Sequence, residues 1–264
     1  MRIPFFKYQG TGNDFVVIDQ RRKKYIDPNN VDLINKLCDR HFGIGGDGLM
    51  LLSGSKKSGI DFTMTYFNAD GNLGSMCGNG GRCLTAFAHS KKIFETHCIF
   101  DAVDGLHEAS VNADKTVSLK FIDVNDIEMG DGFYVLNTGS PHYVVFVEDL
   151  NDINVFDNGQ QIRYSARFAK EGINVNFCQI LDDNKLRIAT YERGVENETF
   201  SCGTGIVATV LAYSVKTGNT QSVSVETKGG NLSARFKKVV NQNQFNNVWL
   251  TGPADCVFEG IVEV

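Results

Sequence analysis

The sequence predicts an α+β protein built from two similar domains. Three features predict it: short β-branched and aromatic stretches set off by turn residues, an ungapped internal repeat, and two apolar helical segments that each follow a Cys-Gly-x-Gly step.

The stretches Phe15–Ile18, Leu49–Leu52, Phe62–Phe67, Val117–Phe121, Tyr143–Val147, Asn176–Ile180, Leu186–Tyr191, Val223–Glu226 and Val248–Leu250 read as strands. A first helix is expected after Asp27-Pro28, with the aspartate as N-cap and the proline at the first helical position, running to Gly43. Strands without a regular helix between each pair argue for α+β rather than for repeated βαβ units.

The repeat organises the rest. Phe62 to Tyr66, followed by Cys77-Gly78-Asn79-Gly80, lies over Arg187 to Tyr191, followed by Cys202-Gly203-Thr204-Gly205, at a constant offset of 125 residues. Gly10 to Val17 and Asn137 to Val144 form a second, looser match. Each half reads as strand, polar loop, Cys-Gly-x-Gly and helix, which predicts domains at 1–125 and 126–264.

The helix expected over Ile206 to Tyr213 is apolar on every face, and that over Cys83 to Ala88 nearly so. Such helices are wrapped by other elements. Their first N–H groups have no intrahelical acceptor and must open onto a surface or cleft. Each cysteine sits at that terminus. Across a pseudo-twofold axis, two such thiols would approach one ligand from opposite sides of an interdomain cleft.

Composition excludes several classes. There are 26 basic and 31 acidic residues, a net charge of −5, and the largest basic run is Arg21 to Lys24. That run reads as a solvated turn, and no nucleic-acid partner is expected. Charge interrupts Met1 to Lys7 before a signal core can form, and no apolar run approaches the ~18 residues of a membrane span, so a cytoplasmic protein without membrane contact is expected. Seven cysteines without a CxxC pair suit neither a disulfide framework nor a metal site. Cys38, Cys83, Cys98, Cys178 and Cys256 are expected to be buried small hydrophobes. Gly43 to Gly48 matches GxGxxG, but it follows a helix and leads into a strand, the reverse of the dinucleotide-binding order.

Cys77 and Cys202 stand apart from the other five. A helix N-terminus stabilises an anion by up to ~2 kcal/mol, enough to bring a thiol from ~8.5 to roughly 7. Two such thiols suit inversion of a carbon centre, which needs one group ionised and one protonated at the same moment. A thiolate of that pKa is a weak base for a carbon acid. The helix N-termini must therefore also hold the charge that flows into the substrate carboxylate.

Seven motifs, at residues 10–15, 42–48, 67–71, 76–83, 139–142, 191–194 and 201–205, occur in an order that resembles the diaminopimelate epimerase family. The resemblance implies two pseudosymmetric domains, each a β-sheet curled around a central helix, with the last strand, 256–264, able to return to the first domain. It implies interconversion of L,L- and meso-diaminopimelate in lysine and peptidoglycan precursor synthesis, with no cofactor or metal, in a homodimer. Carried over residue by residue, Cys77 and Cys202 match the catalytic pair, commonly labelled donor and acceptor. Gly78, Asn79, Gly203 and Thr204 match the helix-start residues that hold the reacting carboxylate. Asn13, Asn68, Asn174, Glu192 and Arg193 match substrate-binding positions, with Arg193 suited to the distal carboxylate. His142 and Glu192 match supporting groups near the reacting centre. Many members carry Gln where this chain has Gly48 and Asn where it has Ser140, which changes contacts to substrate amino groups but removes no base. Proline and hydroxyproline racemases, whose first motif more usually reads Cys-Gly-His-Gly, and a thiol-switch binding protein are the competing readings.

Overall fold

Continuous apolar runs such as Phe15 to Ile18 and Leu49 to Leu52, unlike alternating ones, require strands covered on both faces. All eight of these side chains are buried. In the computed structural model, which describes residues 1–240 and 242–264, they form the middle of a sheet with a helix on each side.

The chain divides into two units, Met1–Leu119 with Gly252–Val264, and Lys120–Thr251. In the first, β1 (Arg2–Gly10) and β2 (Asn13–Asp19) form a hairpin. Helix α1 (Val31–Cys38) then leads to β3 (Gly48–Ser53), which lies parallel to β2, and β4 (Phe62–Asn68) returns antiparallel. Helix α2 (Gly78–Ser90) crosses to β5 (His97–Ala102), parallel to β4, and β6 (Gly105–Val111) and β7 (Val117–Lys120) follow antiparallel.

The second unit repeats that order. It runs β8 (Ile127–Met129), β9 (Phe133–Asn137), β10 (Pro141–Val147), α3 (Val155–Arg163), β11 (Asn174–Asp182), β12 (Lys185–Glu192), a short β13 (Asn197–Thr199), α4 (Gly203–Thr217), β14 (Val223–Thr227), β15 (Gly230–Lys238) and β16 (Phe245–Gly252). The last strand, β17 (Asp255–Glu263), pairs antiparallel with β1 in the first unit. The strand orders are β17-β1-β2-β3-β4-β5-β6-β7 and β8-β9-β10-β11-β12-β14-β15-β16, with β13 added beside β12. Both have the same succession of antiparallel and parallel steps. Each sheet curls around one helix: α2 touches β1, β2, β3, β4, β6 and β17, and α4 touches β9, β10, β11 and β15.

On the other face, α1 packs Ile34 and Leu37 with Ile3, Phe5, Val16, Ile18, Leu49 and Leu51. The equivalent face of the second unit packs Val155 of α3 with Val175, Phe177, Ala189 and Tyr191. Among the described residues, no helix is long and apolar enough to cross a membrane.

The first helix starts later and ends earlier than Asp27 and Gly43. Asp27 is taken up by its own turn, accepting from the Asn29 N–H at 3.0 Å, and Asn30 caps α1 by accepting from Leu33 N–H at 3.1 Å. At the far end, Asp39 is extended, and its carboxylate accepts from the His41 and Phe42 N–H groups at 2.7 Å, which ends the helix. Of the five cysteines expected to be buried, four are. Cys256 is exposed, because β17 is an edge strand whose first five residues all face solvent.

Candidate active site

Cys77 and Cys202 are the N-cap residues of α2 and α4. Both have extended backbones, and neither side chain makes a capping hydrogen bond. The cysteine side chains therefore do not compete for the first N–H groups of each helix, which lie next to a sulfur. Burial pushes the thiols of Cys38 and Cys98 up to about 12 and those of Cys83 and Cys178 higher still. These four are inert.

In the first unit, the Thr11-Gly12 turn of the β1–β2 hairpin delivers Asn13. Both turn residues have positive φ, 51° and 88°, as a two-residue hairpin of the primed type requires. The Asn13 amide nitrogen donates to Asp47, which leaves its oxygen turned toward the helix start. There it accepts from the Asn79 amide at 3.5 Å and from the Cys77 thiol at 3.6 Å. Asp47 is fixed in turn by Arg40 at 2.8 Å, and Arg40 and Lys7 both pair with Asp14. Burial alone would raise the Asp14 carboxyl, but hydrogen bonds from Arg40 and Lys7 pull it down to about 2.

Asn68 ends β4 opposite Gly48 of β3 and opens the tight turn closed by Gly71 N–H on its carbonyl at 2.9 Å. Gly48 has a steric reason to be glycine. A Cβ there would lie 2.4 Å from the Phe67 carbonyl oxygen and 2.5 Å from the ring of Tyr66. The Tyr66 ring therefore occupies the space where a longer residue 48 would begin. Sequence reasoning missed Tyr66; its only signal was an aromatic residue in a strand facing a glycine.

In the second unit, Cys202 Sγ lies 3.4 Å from Thr204 Oγ1. The Thr204 carbonyl accepts from Thr138 at 2.9 Å, which ties the β9–β10 turn to the first turn of α4. His142 lies beneath that turn. It is fully buried, and burial pushes its imidazole down to about 3, so the ring is neutral. Thr190 donates to the Asn176 oxygen at 3.0 Å, so the Asn176 nitrogen donates to His142 Nδ1 at 3.0 Å and the ring proton belongs on Nε2. Nε2 is buried without a hydrogen-bond partner among the described residues. Gly205 admits this arrangement, since a Cβ there would lie 2.4 Å from the Asn176 oxygen.

Asn174 sits opposite His142 in the β10–β11 register. Its nitrogen donates to Ser140 Oγ at 2.8 Å and to the Pro141 carbonyl at 3.0 Å, and its oxygen accepts from Arg193 N–H at 2.9 Å. The Arg193 guanidinium is held by neutral oxygens, the Glu171 carbonyl at 3.0 Å and Ser140 Oγ at 3.4 Å. Ser140 thus bridges Asn174 and Arg193. Glu192 accepts from Thr199 at 3.0 Å. The predicted residues fall into two groups: Asn13, Cys77, Gly78 and Asn79 at the start of α2, with Asn68 at the end of β4, and His142, Asn174, Glu192, Arg193, Cys202, Gly203 and Thr204 around the start of α4. Among the described residues, no group of three or more His, Cys, Asp or Glu side chains is arranged to hold a metal ion.

The family model described as diaminopimelate epimerase matches residues 5–124 and 134–257. The diaminopimelate epimerase of Flavobacterium psychrophilum is 46% identical over 256 residues, covering 96% of this chain and 98% of that protein. The diaminopimelate epimerase of Aquifex aeolicus is 38% identical over 275 residues, covering 97% and 96%. Among solved structures, a phenazine biosynthesis protein of the PhzF family from Bacillus anthracis has a TM-score of 0.78 at 14% identity, covering 100% of both chains. A probable proline racemase from Agrobacterium radiobacter K84 has a TM-score of 0.68 at 15% identity, covering 99% and 92%. At these identities the structural likeness speaks for the fold alone.

Proposed function

Since the chain belongs to the diaminopimelate epimerase family, a family of isomerases, we propose that it interconverts L,L- and meso-diaminopimelate, with Cys77 and Cys202 as the acid–base pair. The observation that carries this reading is the pair of uncapped helix starts, each with a thiol as N-cap at the same step of a repeated fold.

One thiolate removes the α-proton and the other thiol delivers a proton to the opposite face, so net charge is unchanged through the turnover. The carbanion between these steps spreads its charge into the α-carboxylate, where the N–H groups of Gly78, Asn79, Gly203 and Thr204 receive it. Arg193 takes the distal carboxylate, in support of which its guanidinium donates, among the described residues, to the neutral oxygens of Glu171 and Ser140. Asn13, Asn68, Asn174 and Glu192 contact the remaining polar groups of the substrate. His142, held neutral, and Glu192 support the Cys202 end. Service to lysine and peptidoglycan precursors, a cytoplasmic location and a homodimer are part of the same reading, and the family resemblance supports them.

The test is proton NMR in heavy water with L,L-diaminopimelate, proline and lysine offered side by side. Deuterium should enter the α-position of inverted diaminopimelate before it enters recovered substrate. Exchange into proline alone would replace this reading with a racemase, and exchange into no amino acid would replace it with a binding protein.

A further inference from the structure

Arg82 lies one turn into α2 and is fully buried. A guanidinium stays charged in any protein environment, and a buried charge needs a compensating one. Its hydrogen bonds go instead to neutral oxygens: Nη2 donates to Asn79 Oδ1 at 3.0 Å and to Thr11 Oγ1 at 3.2 Å, and Nη1 reaches the Gly78 carbonyl at 3.4 Å. Nε is buried with no partner among the described residues.

Among the described residues, the titratable groups that act on it electrostatically are two thiols, Cys83 and Cys77. From β1, Gly10 and Thr11 meet it, both neutral. Elsewhere on the strands packed against α2, Lys7 of β1 and Asp14 of β2 pair with each other, and Asp255 of β17 accepts from Gln9 while acting on Cys83. Cys83 is fully buried, and its thiol stays protonated. Cys77 is the half-buried member of the two, at the uncapped helix start.

The same guanidinium orders the neighbours of that thiol. By holding the Asn79 oxygen, it turns the Asn79 nitrogen toward Asn13, whose oxygen accepts the Cys77 proton. By holding Thr11, a β-branched residue at φ 51°, it braces the turn that presents Asn13. In the repeat, the position equivalent to Arg82, 125 residues on, is Val207. That side chain carries no charge.

We propose that Arg82 is a positioning residue, the standing counter-charge for Cys77, which holds the sulfur's electron pair once the thiol has given its proton to the substrate carbon. The proposal rests on the reading of Cys77 as an acid–base group, and its test reads the thiol itself. The measurement is the pH dependence of Cys77 alkylation by iodoacetamide in the folded full-length chain, quantified by peptide mass spectrometry. In the wild-type protein the midpoint should lie below the ~8.5 of a free thiol. Arg82→Met should raise it by about one pH unit or more, a roughly tenfold loss of alkylation rate at pH 7, and Arg82→Lys should keep it near the wild-type value. Arg82→Gln, which keeps a hydrogen-bonding group and drops the charge, carries the same expectation should the methionine variant not fold. A folded neutral variant with an unchanged midpoint, or a wild-type midpoint at or above that of a free thiol, overturns the proposal. A wild-type chain that shows the shift but exchanges no α-proton would overturn the function proposed above and leave this inference standing.

Discussion

At the start of α2, the side chain one turn behind the cysteine is a buried arginine; at the start of α4, the equivalent side chain is Val207 and the polar group beneath the helix is a neutral histidine. The backbone is the same in both places, an extended cysteine followed by Gly-x-Gly and an uncapped helix. The repeat therefore keeps the geometry that presents a thiol and varies the charge behind it.

The largest effect expected tests whether both ends are needed. Cys77→Ala and Cys202→Ala should each lower the rate of inversion by at least about 10³-fold, with thermal melts close to wild type. Near-wild-type turnover by either variant in the heavy-water assay would break the pairing. Next, Gly48→Gln should destabilise the first unit by about 1–3 kcal/mol, because the added Cβ overlaps the Phe67 carbonyl and the Tyr66 ring. Denaturant titration reads that loss, and removing the ring as well, in Gly48→Gln/Tyr66→Ala, should recover part of it. At the other helix start, Arg193→Lys keeps the charge but loses the planar fork. KM for diaminopimelate should rise roughly tenfold with little change in kcat, and an unchanged KM would remove Arg193 from the distal carboxylate.

The smallest effect separates the units by pH. His142 has a folded pKa near 3 against 6.5 unperturbed, so the unfolded state binds more protons between those values. Stability is then lost as pH falls below about 6.5, by at most about 1.4 kcal/mol per unit. Asp14 is depressed from 3.8 to about 2, so its contribution persists until pH falls below about 4. At pH 5, amide hydrogen exchange should accelerate around β10 and α4 before it does around β1 and β2. Equal acceleration in both units would mean that His142 does not set the acid sensitivity.

Much of this arrangement was legible in the sequence. The continuous apolar runs identified β2 and β3 because a strand buried on both faces has no polar positions, and the Cys-Gly-x-Gly repeat located both helix starts. Elements without a one-sided pattern were not visible. Strand β17, nearly all exposed, was expected only through the family resemblance, and β1 carries Pro4 and the buried Lys7, whose charge is met by Asp14 on the neighbouring strand. Helix α3 was hidden because it buries only Val155 and Gly159, too few for an apolar stripe. Arg82 had a usable signal: it is the single Lys, Arg, Asp or Glu of α2, directly before the largely apolar run Cys83 to Ala88. Asn79 is a local partner on the same helix, but Thr11 is brought to it only by the folded chain.

Strand β17 also bears on how the chain is made. It supplies the outer neighbour of β1, yet the whole second unit is synthesised between β7 and β17. At ordinary translation speeds, β1 waits on the order of ten seconds for its last partner. During that interval its hydrogen-bonding edge is open to any other unpaired strand, including one on a neighbouring nascent chain. Most of the first unit is synthesised before the second, but its outer strand is synthesised after it, so chaperone demand and inclusion-body formation should respond to changes in β17 more than to changes of similar size in β16.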